Sequence, residues 1–103
     1  YFDRFDPPAN TVGASAIAAQ AMIHENEGSF DKAISLYKRA ADHVDDQIMS
    51  PRYLLAAARA ADADGDARGA MSILEDLQDR YDESPAAQEA QMLSAMYEAK
   101  AAQ

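Results

Sequence analysis

The sequence predicts an all-α protein, built of antiparallel helix pairs stacked as a short solenoid and closed by a C-terminal capping helix. Three observations carry this. Gly28-Ser-Phe-Asp-Lys-Ala33-Ile-Ser-Leu36-Tyr37-Lys-Arg-Ala40 aligns without gaps with Gly65-Asp-Ala-Arg-Gly-Ala70-Met-Ser-Ile73-Leu74-Glu-Asp-Leu77, 37 positions later. Each copy places a turn glycine ahead of a small residue at +5, large apolar residues at +8 and +9 and an apolar one at +12, the spacing of one helical face behind a tight turn. Alanine supplies 24 of the 103 residues, whereas Val and Ile together supply seven, so the local preference is helical and almost no sheet is expected.

Residues Tyr1 to Phe5 are aromatic-rich and run into Asp6-Pro7-Pro8, a pattern that stops a helix and begins a loop; residues 1–10 read as the tail of a truncated preceding helix and its loop. A helix from about Thr11 to Asn26 sets Ile17, Ala21 and His24 on one face and Ala16 and Ile23 on an adjacent one, the two buried faces of a helix inside a stack. Gly28 breaks the pattern, Ser29 suits an N-cap, and Phe30, Ala33, Ile34, Tyr37, Ala40 and Ala41 form a stripe reaching about Val44. Asp45 to Ser50 is a connection, with Ser50 as the cap and Pro51 in the first turn of the next helix. That helix runs to about Ala63 and carries Tyr53, Leu54, Ala57, Ala58 and Ala61; a fourth runs from about Ala67 to Tyr81. Ser84-Pro85 opens a fifth, in which Ala86, Ala90, Leu93 and Tyr97 form an apolar stripe while Gln88, Gln91 and Glu98 keep the other side wet, as in a solenoid cap. The chain divides into repeat 1 (14–50), repeat 2 (51–84) and a capping helix (85–101) within one domain. Alanines at 33, 58 and 70 repeat a small side chain where two helices approach closely.

A net charge of −9 leaves no basic stripe to release counterions, which excludes nucleic acid and direct contact with an anionic membrane as partners. Twelve Asp against three Lys is a balance common in proteins that stay soluble in concentrated salt; a salt-loving source and an ordinary acidic surface both fit it. There is no apolar run of membrane-spanning length, no signal-peptide pattern and no initiator Met, so the chain reads as an excised piece of a longer protein. The absence of cysteine excludes disulfides and thiol catalysis within these residues.

With a small residue in the first helix, a turn glycine, an alanine early in the second helix and an aromatic or large apolar residue soon after, the pattern resembles the tetratricopeptide repeat, whose usual period is about 34 residues. The matching positions are Ala21, Gly28, Ala33, Tyr37 and Ala40 in the first repeat and Ala58, Gly65, Ala70, Leu74 and Leu77 in the second. The large residue expected early in each first helix is only Ile17 and Leu54, and the first repeat is three residues too long, a surplus assigned to the connection from Asp45 to Ser50. The resemblance implies a right-handed solenoid that binds protein or peptide segments in a groove. The run from Met49 to Pro85 is also similar to the C-terminal part of bacterial membrane-anchored periplasmic tetratricopeptide proteins associated with the secretion translocon. That likeness implies a periplasmic location, membrane-anchored through a missing upstream segment; without it the expected location is cytoplasmic.

The candidate chemical motifs reduce to structure. Asp62-Ala-Asp64-Gly65-Asp66 suggests a calcium loop, but an EF-hand register beginning at Asp62 puts Ala67 where the glycine belongs and Ile73 where the bidentate acid belongs. His24-Glu25 begins like a zinc-protease motif, yet Gly28 stands where the second histidine must return; His24 reads as a packing residue and His43 as a partner of the terminal carbonyls of its helix. Ser15 lacks the second glycine of a nucleophile elbow, and there is no phosphate-binding glycine loop. No catalytic, cofactor or metal site is therefore expected.

If the first helix of each pair lines a groove, its positions are Ser15, Ala18, Ala19, Met22, Glu25 and Asn26, then Arg52, Leu55, Ala56, Arg59 and Asp62. Of these, Met22, Glu25, Arg52, Leu55 and Arg59 are the candidate peptide contacts. Arg52 and Arg59 lie about two turns apart on one side and suit a carboxylate or backbone carbonyl, or else serve as solvated partners of Asp62 or Glu25. The functional expectation is a non-enzymatic interaction module for protein segments; the rival is an oligomerisation domain, self-associating through its truncated N-terminal end at Tyr1, Phe2 and Phe5.

Overall fold

A computed structural model describes residues 9–102. The expectation that Tyr1, Phe2 and Phe5 mediate association falls outside the described residues. Among the described residues five helices follow one another: α1 (Ala9–Asn26), α2 (Phe30–Val44), α3 (Met49–Ala63), α4 (Ala67–Arg80) and α5 (Pro85–Ala101). The described chain is all-α, with no strand. Each helix packs on the next, and α3 also touches α5, giving a thin slab of 55 × 33 × 13 Å.

The repeated block folds the same way twice. Gly28 and Gly65 both take φ +84°, a left-handed conformation in which any side chain is strained. Gly28 N–H donates to Glu25 O and Ser29 N–H to His24 O; Gly65 N–H donates to Asp62 O and Asp66 N–H to Ala61 O. These pairs are the two bonds of a Schellman C-cap, which satisfies carbonyls that the helix end would leave bare. Beyond the turn, Ala33 and Ala70 are both fully buried, as are Ala21 and Ala58 on the facing helices, while Tyr37 and Leu74 occupy the same inner position. Small side chains at these points let paired helices close on each other, and Leu54, Leu74 and Leu77, the largest fully buried apolar side chains beside Pro51, fill the second pair.

Several local expectations are corrected. Ser29 precedes α2 but makes no side-chain cap bond; only its carbonyl accepts, from Ala33 N–H. Ser50 is not the cap of α3, which begins one residue earlier. Asp46 is the capping side chain, its Oδ1 accepting from Ile48 N–H and Met49 N–H. Fully buried, Ser50 donates from Oγ to Ala41 O at 2.6 Å and accepts from Asp46 N–H at 2.9 Å, which ties the end of α2 to the start of α3. Two of the three surplus residues of the first repeat, Met49 and Ser50, lie in the Asp45–Ser50 segment but are helical, since α2 and α3 are joined by four residues and so are α4 and α5. These two open α3, which begins two residues before its Ser-Pro proline whereas α5 begins on it, and the third lies in α2, which is one residue longer than α4.

The second face expected to be buried on α1 is open: Ile23 is 56 % exposed and Ala16 is exposed. Packing of α1 is chiefly on α2, so only the face bearing Ala14, Ala18 and Ala21 is covered. His43 is the basic residue in the last turn of α2, exposed, with its ring lying across Gly13, where a methyl group would come within 2.6 Å of its Nε2. His24 is half-buried, with Nδ1 3.8 Å from Glu27 Oε1. On α5, Ala86, Ala90 and Tyr97 are buried while Gln88, Gln91 and Glu98 face solvent, but Met92 and Met96 are exposed as well.

Candidate functional site

Three of the five candidate contacts come together. Arg52, Leu55 and Arg59 recur along one side of α3 at the three- and four-residue steps of a helical face, and the start of α5 runs beside them. The cleft between has a volume of about 540 Å³, within the usual range of ligand clefts. Its apolar wall is Ile48, Leu55, Pro85 and Ala86; Arg52, Arg59 and Glu89 form a charged rim. Gln47 and Ser84 complete it, and Ser84 is already satisfied, donating from Oγ to Tyr81 O and accepting from Ala87 N–H.

Arg59 pairs with Glu89 Oε2 on α5, not with Asp62 or Glu25. Asp62 is held by Lys100 Nζ at 2.6 Å, a second tie between α3 and α5. Arg52 is exposed, and among the described residues no carboxylate lies within ion-pair distance of it. Met22 and Glu25 do not line this cleft. Met22 is 56 % exposed on α1, and Glu25 accepts a 2.9 Å hydrogen bond from Tyr37 OH. Burial, followed by that carboxylate, pushes the Tyr37 phenol up to about 12.

The remaining buried phenols also serve packing. Tyr97 is raised by burial and then by the charge of Asp62. Tyr81 is raised chiefly by burial, and its hydroxyl donates to Asp45 Oδ1 at 2.8 Å, joining the ends of α4 and α2. Arg80 covers the Tyr81 ring at 5.2 Å and bonds Asp42, the principal cause of its raised pKa, so this cluster is self-satisfied. Among the described residues, no three His, Asp or Glu side chains are grouped to hold a metal ion. Asp66, within the acidic turn, caps α4 by accepting from Gly69 N–H at 2.9 Å. No described helix is long and apolar enough to cross a membrane.

Ile48 and Glu89 were not singled out in the sequence, and Pro85 and Ala86 were read only as the start and the apolar stripe of the fifth helix. Ser50-Pro51 and Ser84-Pro85 mark the starts of two first helices of the repeat pattern, and that match was the signal that α5 would flank α3. Compared with known proteins, the chain matches no family model, no curated protein and no solved structure.

Proposed function

We propose that this chain is a non-enzymatic interaction module of tetratricopeptide type, a short right-handed solenoid that binds a protein segment in the cleft bounded by Arg52, Leu55 and Arg59. The observation that carries the reading is the pairing of an apolar cleft wall with an unpartnered guanidinium: Leu55 and Ala86 lie beneath, and Arg52 stands at the rim with nothing in the described chain to bind. An arginine so placed offers five donors in a fixed fork, suited to a carboxylate or to backbone carbonyls of an extended segment. The identical Schellman turns and matching buried alanines support the repeat architecture. Likeness of the Met49–Pro85 run to envelope proteins supports a scaffolding role at a bacterial cell envelope.

Affinity capture from cells that make the protein tests this. A partner retained by the wild type and by a back-face Glu75→Lys variant, and lost with Arg52→Glu/Arg59→Glu, is the expected result. Equal retention by all three sinks the cleft.

A second reading, an oligomerisation domain without a separate ligand, draws on Met22 and Ile23 of α1 and Met92 and Met96 of α5, each more than half exposed. Sedimentation over a range of concentrations separates the two, since only the second reading requires self-association.

A further inference from the structure

We infer that the cleft selects an extended protein segment carrying an apolar side chain beside a carboxylate, and that Glu89 occupies the place of that carboxylate while the cleft is empty. This rests on the segment-binding reading and specifies what the segment must look like.

Charge is the first argument. The chain carries nine basic and eighteen acidic residues, yet the cleft rim holds two arginines and one acid. Repulsion from the remaining acids is screened over about 8 Å at physiological ionic strength, whereas a carboxylate seated in the cleft would touch Arg52 and Arg59 directly. The local charge therefore decides, and a lysine in the same place would face both guanidiniums.

The second argument is the Arg59–Glu89 pair. It crosses from α3 to α5, and its side chains are 54 % and 47 % exposed, so it is a solvent-screened pair of small worth. Exchanging Glu89 for a ligand carboxylate costs little and leaves Arg59 with an equivalent partner. Arg52, which has no such stand-in among the described residues, gains one outright.

The third is the apolar wall. Ile48 is 66 % exposed beside the cleft while Leu55 is 5 % exposed at its base, so an incoming aliphatic side chain would cover the first and rest on the second.

The test is an NMR titration of the isotope-labelled 103-residue chain with three blocked peptides: acetyl-Gly-Ser-Leu-Asp-Gly-Ser-amide and its Asn and Lys counterparts at the Asp position. The Asp peptide is expected to shift the signals of Ile48, Arg52, Leu55 and Arg59 and to bind about tenfold more tightly than the Asn peptide, with Lys weakest. Arg52→Gln should reduce that preference to about twofold, and Glu89→Gln should raise affinity for the Asp peptide about threefold by freeing Arg59. Equal binding of Asp and Asn peptides at the cleft overturns the acidic preference but leaves the segment-binding reading standing. Absence of cleft shifts with every peptide overturns both. Concentration-dependent broadening confined to the cleft, without peptide, makes a second copy the occupant and overturns the proposal.

Discussion

The hydroxyl of Tyr37 on α2 donates to Glu25 Oε1 on α1 at 2.9 Å, across the first helix pair. Tyr37 is 5 % exposed, so ionising it would place a phenolate in the core beside a carboxylate. Its pKa rises from 10.0 to about 12 on folding, so the folded state holds this proton more tightly than the unfolded state. The stabilisation is complete below the unfolded pKa and is lost as pH rises from about 10 through about 12. Melting temperature should therefore fall across that window. Tyr37→Phe, with nothing to ionise there, should flatten the fall, and an unchanged alkaline slope would contradict the assignment.

Ser50 and Ser29 occupy similar places in the sequence and opposite ones in the structure. Ser50→Ala should cost about 1–3 kcal/mol, because it removes the two hydrogen bonds that tie the end of α2 to the start of α3, although the Ala41 carbonyl keeps its bond from Asp45 N–H. Ser29→Ala should change stability by only a few tenths of a kcal/mol, since its hydroxyl caps nothing. Denaturant unfolding of both variants checks the contrast, and equal losses would refute it.

Gly28 and Gly65 should respond alike to substitution. Nothing lies within 4 Å of a methyl group built at either, so the cost of Gly→Ala comes from the positive φ alone, roughly 1–2 kcal/mol at each position. Asn, which tolerates the left-handed region, should cost less. Unfolding free energies that differ widely between the two sites would show that the turns are not equivalent.

These cases show what was legible in the sequence. Glycine with a small residue at +5 encodes local geometry, so the turns at Gly28 and Gly65 and the buried alanines at 33, 58 and 70 could be read directly. Serine ahead of a helix is ambiguous, because the same side chain can cap its own helix or reach back to the preceding one, and Ser50 does the latter. Ion pairs such as Arg59–Glu89 and Asp62–Lys100 bridge residues 30 and 38 positions apart, and no periodicity reports which charged side chains meet across neighbouring helices. Exposure of Ile23 was missed because an apolar face predicts burial only when another element is there to cover it.

Ala33→Arg and Ala70→Arg should each destabilise the chain by on the order of 3 kcal/mol or more. Both positions are fully buried against a facing helix, so arginine would overpack the contact and bury an unpaired charge. Circular dichroism melts check this; wild-type melting for both variants would overturn the helix register.

Site-specific photo-crosslinking tests the segment-binding claim most directly. A photoreactive amino acid at exposed Ile48, beside the cleft, is compared with the same group at exposed Glu75 on α4, in cells that make the protein. A discrete adduct with another protein is expected from position 48, abolished by Arg52→Glu, and none of that size from position 75. Identical adducts from both positions, or from position 48 only a covalent dimer of the chain itself, would contradict it.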